Sequence, residues 1–200
     1  TTLSPRVQEQ AQSALTRSVA TLERTSNTDE LQSALIARNS QTGDIKAVVG
    51  GKVRGAQGFN RALHARRQVG SLMKPVVFLA ALESGDYHLA SVIDDSPLTL
   101  PDHGDWSPRN FDGEFRGPVP MFRALGDSLN VATVRLGIDV GVQEIADRLA
   151  DLTRTAAPPA YPSLLLGAHE MTPLEVSELY AVFASGGFTT PGKSVTAVLD

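Results

Sequence analysis

Gly70-Ser71-Leu72-Met73-Lys74-Pro75-Val76-Val77-Phe78-Leu79-Ala80-Ala81-Leu82 holds the longest uninterrupted apolar run of this 200-residue chain, residues 75–82. The stretch has almost no polar face, the pattern of a helix buried on all sides. Pro75 sets where that helix starts, because proline fits a helix only in its first turn, where its missing N–H is not needed. The helix is therefore expected to open at Gly70 or Ser71, with Ser71 at the positive end of the dipole. Residues three apart share a helix face, so the Ser71 hydroxyl and the Lys74 amine are expected within hydrogen-bond reach. Lys74 is badly placed for stability: its charge opposes the dipole and sits among apolar side chains. Both effects lower its pKa, and a neutral lysine that takes a serine proton gives an acyl-transfer nucleophile without histidine. Chance alone supplies about 0.3 Ser-x-x-Lys matches in a chain with 16 Ser and 4 Lys. The weight therefore rests on the setting, a proline-marked start of a buried helix.

At 42% apolar and 20% charged residues the chain can bury a core, and its length suits one domain. The apolar run falls far short of the roughly 20 residues a membrane span needs, and Thr1-Thr2-Leu3-Ser4-Pro5 carries no targeting signal. With no Cys, a disulfide framework and a thiolate zinc site are excluded. Ser4-Pro5 reads as the cap and first position of a helix through Val7, Ala11, Ala14, Leu15, Val19 and Leu22, ending within residues 25–29. Residues 31–38 and 45–49 flank Gln41-Thr42-Gly43-Asp44 as a β-hairpin. Residues 50–59 are glycine-rich but lack the spacing of a phosphate-binding loop. Residues 84–120 read as a long polar loop around Trp106, followed by short helices at 121–125, 131–138 and 142–149. Thr172-Pro173-Leu174-Glu175 is a capping box whose helix closes at Ser185-Gly186-Gly187, and residues 194–199 read as a strand. This order predicts an α+β fold, an antiparallel sheet with a helical insertion.

The net charge is −4, but residues 45–82 contain Lys46, Lys52, Arg54, Arg61, Arg66, Arg67 and Lys74 and no acidic residue. A nucleic-acid surface is disfavoured, because the whole chain is acidic and only Phe59 and Phe78 are aromatic there. A site for a carboxylate-bearing ligand and ordinary solvated loop charge stay open. Ser128-Leu129-Asn130 is a second fragment able to relay a proton and orient an amide, although either residue could simply cap the helix at Val131. His64, His88, His103 and His169 are scattered, and no Gly-x-Ser-x-Gly elbow seats a histidine-dependent serine. Asp94, Asp95, Asp102, Asp105, Asp112 and Glu114 do not match a calcium loop and read as solvated.

Ser71-Leu72-Met73-Lys74, followed 57 residues later by Ser128-Leu129-Asn130, resembles the first two motifs of the penicillin-binding protein and serine β-lactamase superfamily. Phe59-Asn60-Arg61-Ala62 and Arg66-Arg67-Gln68-Val69-Gly70 before the serine are similar to bifunctional class A penicillin-binding proteins, the proteobacterial 1b type above all. So are Trp106-Ser107-Pro108-Arg109-Asn110-Phe111, Gly117-Pro118-Val119, Leu166-Gly167 and Phe183-Ala184-Ser185-Gly186-Gly187. The likeness spans about residues 31–200, so residues 1–30 are expected to be a helix leading into a partial transpeptidase domain.

The resemblance implies peptidoglycan D,D-transpeptidation with no cofactor and no metal. Ser71 would attack the D-Ala-D-Ala carbonyl of a stem peptide with Lys74 as base. Ser128 would relay a proton to the leaving amine, and Asn130 would position Lys74 and the acyl amide. β-Lactams would acylate Ser71. It further implies a parent protein at the periplasmic face of the bacterial inner membrane, with glycosyltransferase, anchor and cell-wall partner contacts outside this chain. The superfamily's third motif, Lys-Thr/Ser-Gly, is absent: the only lysine after Lys74 is Lys193, in Lys193-Ser194-Val195. That motif's strand supplies an oxyanion N–H and a cation for the substrate carboxylate, so the chain is expected to lack later strands of the sheet. A β-lactamase, a D,D-carboxypeptidase and a non-catalytic module of the same fold are the competing expectations.

Overall fold

Described here from a computed structural model are residues 1–55 and 58–198. Helices run over α1 (Pro5–Ser26), α2 (Arg61–His64), α3 (Lys74–Ser84), α4 (Met121–Gly126), α5 (Asn130–Val140), α6 (Val142–Thr153) and α7 (Pro173–Ala184). Strands are β1 (Leu35–Arg38), β2 (Ile45–Val49), β3 (Arg67–Gln68), β4 (Val92–Asp95), β5 (Gly117–Pro120) and β6 (Glu170–Met171). The chain folds as two units, residues 1–67 with 171–200, and residues 68–170.

In the first unit the Ser4 side chain accepts the Val7 N–H, Pro5 opens α1, and Asn27 ends it in the left-handed region. One face of α1, Ala11, Leu15 and Val19, closes over Ala47 and Val49 of the antiparallel β1–β2 hairpin. The turn is made by Asn39, whose Oδ1 accepts the Gln41 and Thr42 N–H groups, and by Gly43 at φ 75°. Thr172 and Glu175 form the reciprocal capping box of α7. The basic run is largely neutralised in this unit: Lys46 pairs with Asp44, Lys52 with Glu23, Arg54 with Glu9 and Arg66 with Glu175. Residues 194–198 are irregular rather than a strand; Lys193 alone makes a bridge, to Asp44, and Leu199 lies outside the described residues.

In the second unit α3 is buried as its composition predicts, through Val76, Val77, Phe78, Ala80 and Ala81. It packs on α5, whose buried residues include Val131, Val134 and Leu136, and on α6, whose buried residues include Ile145 and Leu149. Each Val, Leu, Ile or Phe side chain among these contributes about 1.5–3 kcal/mol when fully buried. The α-helix starts at Lys74, not at Ser71. Proline at 75 can make no bond to the Ser71 carbonyl and would crowd it, so the chain tightens into a 3-10 turn over Gly70–Met73. The Lys74 N–H then closes on the Ser71 carbonyl. Residues 84–120 are not merely a polar loop: β4 and β5 pair antiparallel, with Ile93 opposite Val119 and Asp95 opposite Gly117. Four-residue strands carrying two prolines leave too short a pattern to read in advance.

Gly137, inside α5, supplies a test of this packing. A Cβ there would lie 2.4 Å from Leu165 Cδ2. Glycine to alanine in a helix normally gains about 1 kcal/mol. Here Gly137→Ala is expected to lower the melting temperature, and adding Leu165→Ala to restore part of the loss; a gain from the single change contradicts the packing.

Candidate active site

Ser71 and Lys74 stand one turn apart at the head of α3, but their side chains have opposite environments. Ser71 is exposed, whereas Lys74 is buried at 1% exposure. A buried ammonium must place all its N–H groups on acceptors. Lys74 Nζ donates to the Ser128 carbonyl at 2.5 Å, to Ser128 Oγ at 2.9 Å and to Asn130 Oδ1 at 2.6 Å. Ser128 reaches the amine with both oxygens because its backbone is left-handed, φ 54°, a conformation that disfavours side chains other than glycine. Its hydroxyl also donates to Ser71 Oγ at 3.3 Å. Among the described residues the connection from Lys74 to Ser71 therefore runs through Ser128 and is not the direct bond expected from helix spacing.

The turn that carries Ser71 is clamped from behind. Gly70 adopts φ 56°, and its N–H donates to the Gly167 carbonyl at 3.1 Å. A Cβ on Gly167 would lie 2.1 Å from the Gly70 carbonyl oxygen, so only glycine permits this approach.

Ser128 and Asn130 do not cap α5; its N-cap, Leu129, makes no side-chain bond. Asn130 has its two ends fixed, Oδ1 on Lys74 and Nδ2 donating to the Arg109 carbonyl at 2.8 Å. The first N–H groups of α5 are satisfied by residues remote in sequence. Asn110 Oδ1 accepts from Asn130 N at 2.7 Å and Val131 N at 3.3 Å, and Asp95 Oδ1 accepts from Ala132 N at 3.1 Å. Asp95 is fully buried, and its Oδ2 accepts from Asn110 Nδ2 at 2.7 Å and Arg116 N at 3.0 Å. The reading of Asp95 as solvated is thereby corrected. The signal was its alternation with Ile93 on one face of β4, too short to stand out.

Burial pushes the Lys74 amine down to about 8, and the Asp95 carboxylate opposes part of that fall. About a tenth of the amine is then neutral at pH 7, enough for a base that works through a short relay. Among the described residues no cluster of His, Asp or Glu could hold a metal ion.

Residues 33–200 match the family model described as Transpeptidase, penicillin binding protein transpeptidase domain. This chain belongs to that family. Its relatives include penicillin-binding protein 1B of Vibrio cholerae, 41% identical over the whole of this chain and 26% of that protein. The crystal structure of penicillin-binding protein 1A from Haemophilus influenzae superposes with a TM-score of 0.74 at 38% identity, covering 80% of this chain and 24% of that one. A fold match at 24% identity, TM-score 0.76 over 96% of this chain and 52% of the other, is the PonA1 protein from Mycobacterium tuberculosis in complex with penicillin V. The chain thus spans about a quarter of the length of the curated relatives it matches. Among the described residues no helix of this transpeptidase fragment is long and apolar enough to cross a membrane.

Ser128 separates stability from chemistry. Ser128→Gly removes the proposed relay hydroxyl but keeps the Ser128 carbonyl on the amine and suits the left-handed backbone, so the loss of one acceptor is partly offset: the protein is expected to stay folded while β-lactam acylation falls at least tenfold. Full acylation by the glycine variant would exclude the relay.

Proposed function

We propose that this chain carries the nucleophile, base and proton relay of a peptidoglycan D,D-transpeptidase. The observation that supports this most is the continuous path from the buried Lys74 amine through Ser128 Oγ to the exposed Ser71 Oγ. Ser71 Oγ attacks the carbonyl carbon of the penultimate D-Ala of a donor stem peptide. Its proton passes through Ser128 to neutral Lys74. The Ser71 N–H, at the head of the 3-10 turn, faces the developing oxyanion. Collapse breaks the peptide C–N bond, the proton returns through Ser128 to the departing D-Ala amine, and an ester on Ser71 remains. The amine of a second stem then attacks that ester, the C–O bond to Ser71 breaks as the cross-linking amide forms, and the amine proton passes along the relay to Ser71 Oγ. A β-lactam follows the first half only, because its leaving nitrogen stays tethered to the acyl group.

One feature favours transfer over hydrolysis. Asp95, the charged group that acts on Lys74, has its carboxylate filled by three hydrogen bonds and no solvent exposure, so it cannot activate a water. Asn130 keeps one amide proton on Arg109 and has a second to offer an acyl carbonyl. The chain holds no Lys-Thr/Ser-Gly motif, and losing one oxyanion donor typically costs about 10²–10³ in rate. Lys193 is ion-paired with Asp44 and is not a substitute. The assays below therefore use the full-length protein. On the resemblance to class A penicillin-binding proteins, we extend the proposal to a glycosyltransferase activity in the parent protein, a place at the periplasmic face of the inner membrane, and contacts with cell-wall synthesis proteins.

Fluorescent penicillin is expected to label the protein once, to label Ser71→Ala not at all, and to stay attached for minutes to hours. Release within seconds identifies a hydrolase and contradicts the proposal. The acylation rate should rise about tenfold per pH unit below about 8 and level above it, the sign required of a base that must first lose its proton. A flat profile between pH 6 and 9 contradicts Lys74 as base.

A further inference from the structure

We infer that Asp95 and Asn110 are positioning residues for this acyl transfer: a buried Asp95–Asn110 pair seats the first turn of α5 and thereby holds Ser128 and Asn130 on the Lys74 amine. The inference rests on the function proposed above and deepens it.

The geometry runs in one direction. Asp95 enters from β4 and is held by the Arg116 N–H, which comes from the segment leading into β5. Its other contacts reach the Asn110 amide and the Ala132 N–H. Asn110 Nδ2 donates to Asp95 and to the Glu114 carbonyl, which leaves its Oδ1 facing the N–H groups of Asn130 and Val131. The amide is thereby fixed in orientation. Its neighbour Arg109 takes the Asn130 side chain through its carbonyl. Asn130 is thus gripped at its backbone by Asn110 and at its side chain by the residue before it. Ser128 lies two residues upstream, on a turn whose left-handed conformation needs outside support. An α5 that began half a turn away would carry both acceptors off the amine.

Asp95 also acts through charge. Lys74 meets neutral Ser128 and Asn130 from α5 and its leading turn, with neutral Ser71 beyond Ser128 Oγ. The carboxylate that faces it comes from β4. On the helices packed against α3, Arg123 pairs with Asp127, Arg135 with Asp94 and Arg148 with Glu83. A cap that served stability alone would influence melting and nothing else. A positioning pair must also change the rate and the proton affinity at Lys74.

The test compares acylation by fluorescent penicillin across pH 6–9 in the full-length protein and two variants, with circular dichroism as the folding control. Asp95→Asn keeps the volume, removes the charge and turns one acceptor oxygen into an NH2 that faces a donor, so the rate is expected to fall and its midpoint to drop by about half a pH unit or more. Asn110→Ala keeps the charge and frees the start of α5, so the rate should fall about 10–100-fold with its midpoint little moved, the size of effect a small misplacement gives. A folded Asp95→Asn with an unchanged midpoint, or a folded Asn110→Ala within twofold of the parent rate, overturns the inference. If Asp95→Asn does not fold, Asn110→Ala decides. A parent protein that takes no label overturns the proposed function itself, an outcome distinct from failure of the variants.

Discussion

A lysine amine at 1% exposure, at the start of the most apolar helix in the chain, is the constraint on which the second unit depends. Apolar helices exclude water from that position, so the amine must find three acceptors in protein or lose its proton. Helix α3 cannot provide them, since its own carbonyls are committed to the helix. They come from a separate turn, two from Ser128 and one from Asn130. Bringing both oxygens of one serine to a single nitrogen requires the left-handed backbone at Ser128. That conformation in turn requires a firmly seated α5, and the buried Asp95–Asn110 pair seats it. Each feature is the price of the one before.

The same arrangement separates the two halves of the proposed acyl-transfer apparatus by solvent exposure. Lys74, the proposed base, lies beneath the surface, where desolvation brings its pKa to about 8; Ser71, the proposed nucleophile, is exposed. Ser128 spans the boundary. A direct Ser71–Lys74 bond would pull one residue out of the environment its role needs; Ser128 Oγ supplies the link instead.

What could be read in advance was local. Pro75, the apolar run, the Ser4-Pro5 start, the Gly43 turn and the Thr172–Glu175 box are each settled by a few adjacent residues, and each stands in the structure where its chemistry puts it. The spacing of Ser71 and Lys74 led to the expectation of a direct bond and gave no sign of the intermediary, because Ser128 approaches from 57 residues away. Asp95 and Asn110 were missed for the same reason. An aspartate among six acidic residues looks solvated until a strand pairing turns it inward, and that pairing is decided by Val119 and Gly117 on another segment. The basic run was left open between a ligand site and solvated charge: its counter-ions Glu9, Glu23, Asp44 and Glu175 lie outside the run, so its charge excess along the chain is reduced in space.

The central claim is that burial, and not sequence motif alone, makes Lys74 a base. Its most direct test is the titration of the Lys74 Nζ by 15N NMR in lysine-labelled protein, assigned by the signal lost in Lys74→Arg. The account predicts a midpoint near 8. A midpoint near 10.5, the value of an exposed lysine, would contradict it.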